Sequence, residues 1–209
     1  MLCGIQDDNE RLRNDYRRLL RCSAFIIFPL MCLLAGVSYP LIELLLGEKW
    51  LFAATLMIPL CFNMMWYPIH SINLNLLQVK GRSDLFLRLE IIKKVIGVFL
   101  LVCSVPFGVL VMCYVGIVQS LIALAINTYY TGKLINVGFF TQIKDLSGIL
   151  TASLSVFAFA FLIGIFINNL VIKLVLGSVL GLLLYCGIAV LLKFNELEYI
   201  KEIAKNGKG

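Results

Sequence analysis

Two groups of side chains in this sequence have the types and spacing to handle a polar ligand. Asn63, Trp66, His70 and Asn73 interrupt an otherwise apolar run at steps of three, four and three residues. On an α-helix those steps put all four on one face. One aromatic ring and three hydrogen-bonding side chains suit the surface of a sugar; they equally suit bonds to neighbouring helices in a bundle. The second group is basic: Lys80, Arg82, Arg88, Lys93 and Lys94. Guanidinium groups take phosphate oxygens in pairs, so this cluster could receive a diphosphate. It could equally anchor a loop on one side of a membrane or attract anionic lipid. Glu90 stands three and four residues before Lys93 and Lys94, the spacing of local ion pairs.

Patterns of enzymatic chemistry are sparse. The chain has one histidine, which excludes a His-rich metal site. It has no glycine-rich phosphate loop ending in Gly-Lys and no Gly-x-Ser-x-Gly elbow. The seven cysteines fall in or beside apolar runs, except Cys3 at the start, and no pair has metal or redox spacing. They read as small apolar residues. No catalytic residue, metal or cofactor is expected. Glu43, near the end of an apolar run, fits either an ion-coupling group or a side chain at headgroup level.

The elements that carry these groups follow from composition. Apolar residues make up 61% of the chain and charged residues 14%, against about 45–50% and 25% in soluble domains. A soluble fold could not cover that much apolar surface, so the expected class is all-α: a polytopic transmembrane helix bundle. About 20 residues of helix cross the hydrocarbon core. Six spans are expected, at about residues 22–46, 53–76, 85–105, 109–130, 146–167 and 172–192. An amphipathic basic segment, 1–21, precedes them, and a tail, 193–209, follows. Pro29, Pro40, Pro59 and Pro68 predict kinks in the first two spans. The longest internal loop is expected around residues 130–145. Gly177 and Gly181 form a Gly-x-x-x-Gly step in the last span, suited to close helix packing or, more sharply, a dimer contact.

Sixteen of the eighteen Lys and Arg fall in the segments before the first span, after the second and fourth spans, and in the tail; the other side has Lys49 and Lys173. The positive-inside rule then places both termini in the cytoplasm. The net charge of +6 is therefore read as a topology signal, and no nucleic-acid partner is expected.

Three stretches resemble the carboxy-terminal part of Wzx-type polysaccharide and lipopolysaccharide flippases of the multidrug/oligosaccharidyl-lipid/polysaccharide exporter superfamily. They are Ile5 to Leu12 with Tyr16 to Arg21 and Phe28-Pro29-Leu30; Pro40-Leu41-Ile42 with Leu45 to Trp50; and Tyr67 to Asn75 with Lys80 to Phe86 and Glu90 to Lys94. The likeness covers about the first 95 residues. It implies alternating access around a central, partly hydrophilic cavity, with an oligosaccharide on an undecaprenyl diphosphate carrier as cargo. The implied location is the bacterial inner membrane. The implied partners are membrane lipid, a polysaccharide polymerase, or an amino-terminal lobe that this chain does not include. On that resemblance the substrate-binding candidates are Asn63, Trp66, His70, Asn73, Arg82, Arg88, Lys93 and Lys94. The alternatives from other classes are a membrane scaffold subunit of a polysaccharide-export complex and a membrane enzyme acting on lipid-linked sugars. The enzyme would need a sizeable polar loop with a set of acid, base or metal groups, and no such set stands in the expected loop at 130–145.

Overall fold

The computed structural model describes residues 9–194, 196 and 197. Cys3, the start of the first family-like stretch, and most of the tail, including Lys201, Lys205 and Lys208, lie outside the described residues. The described residues form eight α-helices: α1 (Asn9–Gly36), α2 (Ser38–Leu46), α3 (Leu51–Met64), α4 (Tyr67–Val79), α5 (Ser83–Ser104), α6 (Val109–Ile135), α7 (Phe139–Phe166) and α8 (Leu170–Leu191). There is no strand among them. The chain is a helical membrane bundle, as its composition predicts.

Prolines set two of the breaks. A proline lacks an N–H, and its ring crowds the carbonyl four residues earlier. Pro40 and Pro68 sit in the first turns of α2 and α4, and the helices before them end at Gly36 and Met64, each four residues upstream. The first expected span is thus α1 plus α2, and the second is α3 plus α4. Pro29 and Pro59 lie inside intact helices. The carbonyl that Pro29 leaves without its helical partner belongs to Phe25, and the Tyr185 hydroxyl of α8 donates to it at 2.8 Å. Freed backbone groups in lipid must find such partners.

Among the described residues five helical legs are long and apolar enough to cross a membrane: Glu10–Gly36, Glu48–Val79, Val109–Ile135, Phe139–Phe166 and Leu170–Leu191. The third expected span, 85–105, falls outside that set. It is helical as α5, but its first twelve residues carry Asp84, Arg88, Glu90, Lys93 and Lys94. It nevertheless runs antiparallel along α6. Leu85 and Leu89 pack near Ile126, Tyr130 and Leu134, while Gly97 lies against Gln119. Its 22 residues reach about 33 Å at about 1.5 Å each, similar to a hydrocarbon core.

Other contacts give the remaining directions. Tyr16 meets the Asn73 network and Phe28 meets Trp66, so α1 is antiparallel to α3–α4. Arg17 meets Asp145 and Gly36 meets Ala160, so α1 is parallel to α7. Leu33 meets Gly181 and Phe25 meets Tyr185, so α8 is antiparallel to α1. His70 meets Ser120 and Asn73 meets Thr131, so α6 is parallel to α4, and six legs of the described residues alternate in direction.

Two expectations about the basic end need correction. Of the segment expected at 1–21, the described part, 9–21, is not distinct from the first span: it is the start of α1, with Leu12, Tyr16 and Leu20 buried in the core. The loop expected at 130–145 is also absent. The α6 helix continues to Ile135, and α7 begins at Phe139. Asn136 turns the chain in the left-handed conformation (φ 56°), its N–H bonding the Gly132 carbonyl. Gly132 and Gly138 then pass so closely that a Cβ on Gly132 would lie 3.1 Å from the Gly138 Cα.

The Gly177 and Gly181 step is used inside the chain rather than for a dimer contact. Both glycines are buried, and a Cβ on Gly181 would lie 2.8 Å from Leu33 Cδ1 and 3.3 Å from Val156 Cγ1. Glu43 lies 3.7 Å from the Lys173 ammonium, an ion pair at the end opposite the basic cluster.

Candidate functional site

A cavity of about 500 Å³ opens between α4, α5 and α6. Its α4 wall is Tyr67, His70, Ser71, Leu74, Asn75 and Gln78; its α5 wall is Phe86, Glu90, Lys93 and Lys94; Gln119 and Ala123 of α6 form the back. At the basic end Leu74 and Phe86 of its lining pack against Leu77, Leu85 and Leu89. The α4–α5 turn that brings these walls together is made by Gly81, whose φ of 67° favours glycine. Lys93 stands halfway along α5, so a charged and hydrogen-bonding surface lies at mid-depth of the bundle. Such groups are costly in hydrocarbon and mark functional surfaces there.

The four residues expected on one face are divided by the break at Met65 and Trp66. Only His70 lines the cavity. Its Nε2 is 2.8 Å from Ser120 Oγ, and the Asn127 side-chain amide reaches its Nδ1 at 3.5 Å. Trp66 is buried in the core, edge to face with Phe28 at 5.2 Å. The Asn63 amide lies beside Gly116 of α6.

Asn73 is the centre of a buried network. Its Nδ2 donates to Gln142 Oε1 at 3.0 Å and to the Ile69 carbonyl at 2.9 Å. Its Oδ1 accepts from Thr131 Oγ1 at 2.9 Å and from Gln142 Nε2 at 3.0 Å. Gln142 Nε2 also donates to Tyr16 Oη at 3.1 Å. Four helices, α1, α4, α6 and α7, are thereby pinned together. For Asn73 the structure selects helix-to-helix bonding over cavity lining.

The basic group is divided too. Lys93 and Lys94 line the cavity, with Lys93 paired to Glu90. Arg82 and Arg88 are exposed and lie outside the cavity lining. Arg82 bonds Asp84 at 3.0 and 3.1 Å, and this holds the Asp84 carboxyl below its usual range.

Sequence reasoning missed Gln119, Ser120 and Asn127, the α6 groups that back the cavity or hold His70. Their signal was present: polar side chains inside an apolar span are rarely idle. Ser71, Asn75 and Gln78 were also legible, at steps of four and three.

Residues 1–55 match the family described as "Polysaccharide biosynthesis protein". Over 130 residues the chain is 34% identical to an "Uncharacterized membrane protein in cps region" of Klebsiella pneumoniae. That alignment covers 60% of this chain and 25% of the relative, so the chain spans about a quarter of that relative's length. No solved structure matches the chain. The chain is thus a helical membrane bundle whose first 55 residues are similar to polysaccharide biosynthesis proteins.

Proposed function

We propose that this chain forms part of a flippase that moves undecaprenyl-diphosphate-linked oligosaccharide across the bacterial inner membrane by alternating access. The observation that carries the reading is the cavity at mid-depth, with two ammonium groups, a carboxylate, amides, hydroxyls and imidazole on its walls. A sugar diphosphate cannot cross hydrocarbon without replacement of its hydration. Lys93 and Lys94 suit the diphosphate, while Ser71, Asn75, Gln78 and the Tyr67 ring suit the sugar. The family match over residues 1–55 and the similarity to a membrane protein of a cps region support a place in surface-polysaccharide assembly. The reading assigns no catalytic residue and no cofactor. Its partners are lipid, the lipid-linked glycan, and further membrane helices facing the cavity.

The test is glycan export from the native locus at matched protein level. Lys94→Ala should lower export about tenfold or more, as expected for losing a charge-assisted contact, with the lipid-linked precursor building up. Val98→Ala, on the exposed side of α5, should leave export unchanged. Normal export in Lys93→Gln and Lys94→Ala alike would overturn the reading.

A further inference from the structure

We infer that Glu90 is the resident anion of the cavity: its carboxylate occupies Lys93 while the cavity is empty, and the phosphate groups of a ligand take its place. The inference rests on the reading of the cavity as the site of a diphosphate, and adds how that site holds and releases it.

The charged side chains that line the cavity, Glu90, Lys93 and Lys94, all stand on α5. On a helix a glutamate reaches a lysine three or four residues further on, so Glu90 has a choice of two. It pairs with Lys93, and among the described residues Lys94 has neither an ion-pair nor a hydrogen-bond partner. The pair is lopsided, with the Lys93 side chain 13% exposed and Glu90 31%. Lys93 is held where α5 meets α6, beside Gln119, Ile122 and Ile126. The carboxylate is therefore the member with room to swing away. It also comes first along the path from the basic end, since α5 starts there and Glu90 precedes Lys93 by about one turn.

Two neighbouring ammonium groups at mid-depth repel each other, and each is costly where water is scarce. Glu90 leaves the lining with one net positive charge instead of two. A phosphate group offers an ammonium the same thing as a carboxylate does, anionic oxygens that only accept. Ligand and Glu90 are therefore alternatives on Lys93. An incoming diphosphate finds Lys94 free but must displace Glu90 to reach Lys93, so it binds more weakly than two free ammonium groups would hold it. As it leaves, the carboxylate returns, and Lys93 is not left alone in the empty state.

The first measurement is equilibrium dialysis of radiolabelled inorganic diphosphate against the 209-residue protein in zwitterionic phospholipid nanodiscs. Glu90→Gln should bind about tenfold tighter, as expected when one charge-assisted contact no longer has to be broken. Lys94→Ala should bind more weakly than the unsubstituted protein. The second measurement is zero-length carbodiimide crosslinking read by mass spectrometry, which joins a carboxylate to an ammonium it touches. Diphosphate should suppress the Glu90–Lys93 crosslink and leave the Glu43–Lys173 crosslink at the other end of the bundle unchanged. A Glu90→Gln protein that binds no tighter would overturn the inference, because a carboxylate that merely steadies Lys93 gives that result. So would a Glu90–Lys93 crosslink that persists at saturating diphosphate. If either occurs while Lys94→Ala weakens binding, the inference fails and the cavity reading stands. If diphosphate binds to none of the proteins, both fail.

Discussion

The Tyr185 hydroxyl of α8 donates at 2.8 Å to the Phe25 carbonyl of α1, the acceptor that Pro29 leaves without its helical N–H. Both residues are buried, with Tyr185 5% exposed and Phe25 8%. Tyr185→Phe should therefore lower the unfolding free energy by about 1–3 kcal/mol, the cost of a stranded buried acceptor. In a Pro29→Ala background α1 can satisfy that carbonyl itself, so the same substitution should cost less. Thermal unfolding in lipid nanodiscs for the two single variants and the double variant measures the difference. Equal costs in both backgrounds would refute the link.

The Asn73 network gives a second prediction. Asn73→Leu strands the Gln142 Oε1 at a fully buried position, while the Thr131 hydroxyl keeps the Asn127 carbonyl and Gln142 Nε2 keeps Tyr16 and Val137. The expected cost is about 1–3 kcal/mol for the unpaired amide oxygen, larger than the net value of one hydrogen bond. Replacing Asn73 and Gln142 together by Leu should cost less than the sum of the single changes, since neither leaves the other unpaired. Urea or thermal unfolding curves would show the shortfall.

Glycine packing gives the third. Gly181→Val would drive a side chain into Leu33 and Val156, at a cost of about 1–3 kcal/mol. Gly187, one turn and a half further along α8, has open space beside it. Gly187→Ala should leave the unfolding midpoint unchanged or raise it slightly, because alanine favours the helix. If the two substitutions were equally harmless, the Gly177 and Gly181 face would not be the one packed against α1 and α7.

The Arg17 pair with Asp145 gives the fourth. The guanidinium bonds both carboxylate oxygens at 2.6 Å, and the Asp145 side chain is 9% exposed. Arg17→Met should destabilise the protein by about 1–3 kcal/mol by leaving that carboxylate alone, whereas pairing Arg17→Met with Asp145→Asn should recover part of the loss. A double-mutant cycle on thermal unfolding reads the coupling.

Much of the fold could be read from the sequence because each apolar run is bounded by charge or by a turn. Lipid demands helices from such runs. The reading failed where charge did not mark a helix end. Lys133 and Lys144 suggested a loop, yet α6 and α7 carry both as helical residues on either side of a three-residue turn. Arg11 to Arg21 similarly suggested a separate segment, although Leu12, Tyr16 and Leu20 at four-residue steps already matched a buried helical stripe. The site was less legible. A straight helix would align Asn63, Trp66, His70 and Asn73, but Pro68 breaks that alignment and sends Trp66 to Phe28. Gln142, which completes the Asn73 network, fell within the loop expected at 130–145. Its role depends on α7 lying beside α4, a tertiary fact that local spacing does not encode.

The most direct test of the central claim is photocrosslinking from inside the cavity in cells making the polysaccharide. A photoreactive side chain would replace Asn75, on the α4 wall, and in a second strain Val98, on the exposed side of α5. The flippase account predicts that position 75 captures diphosphate-linked glycan while position 98 captures phospholipid. Capture of phospholipid alone at both positions would contradict it.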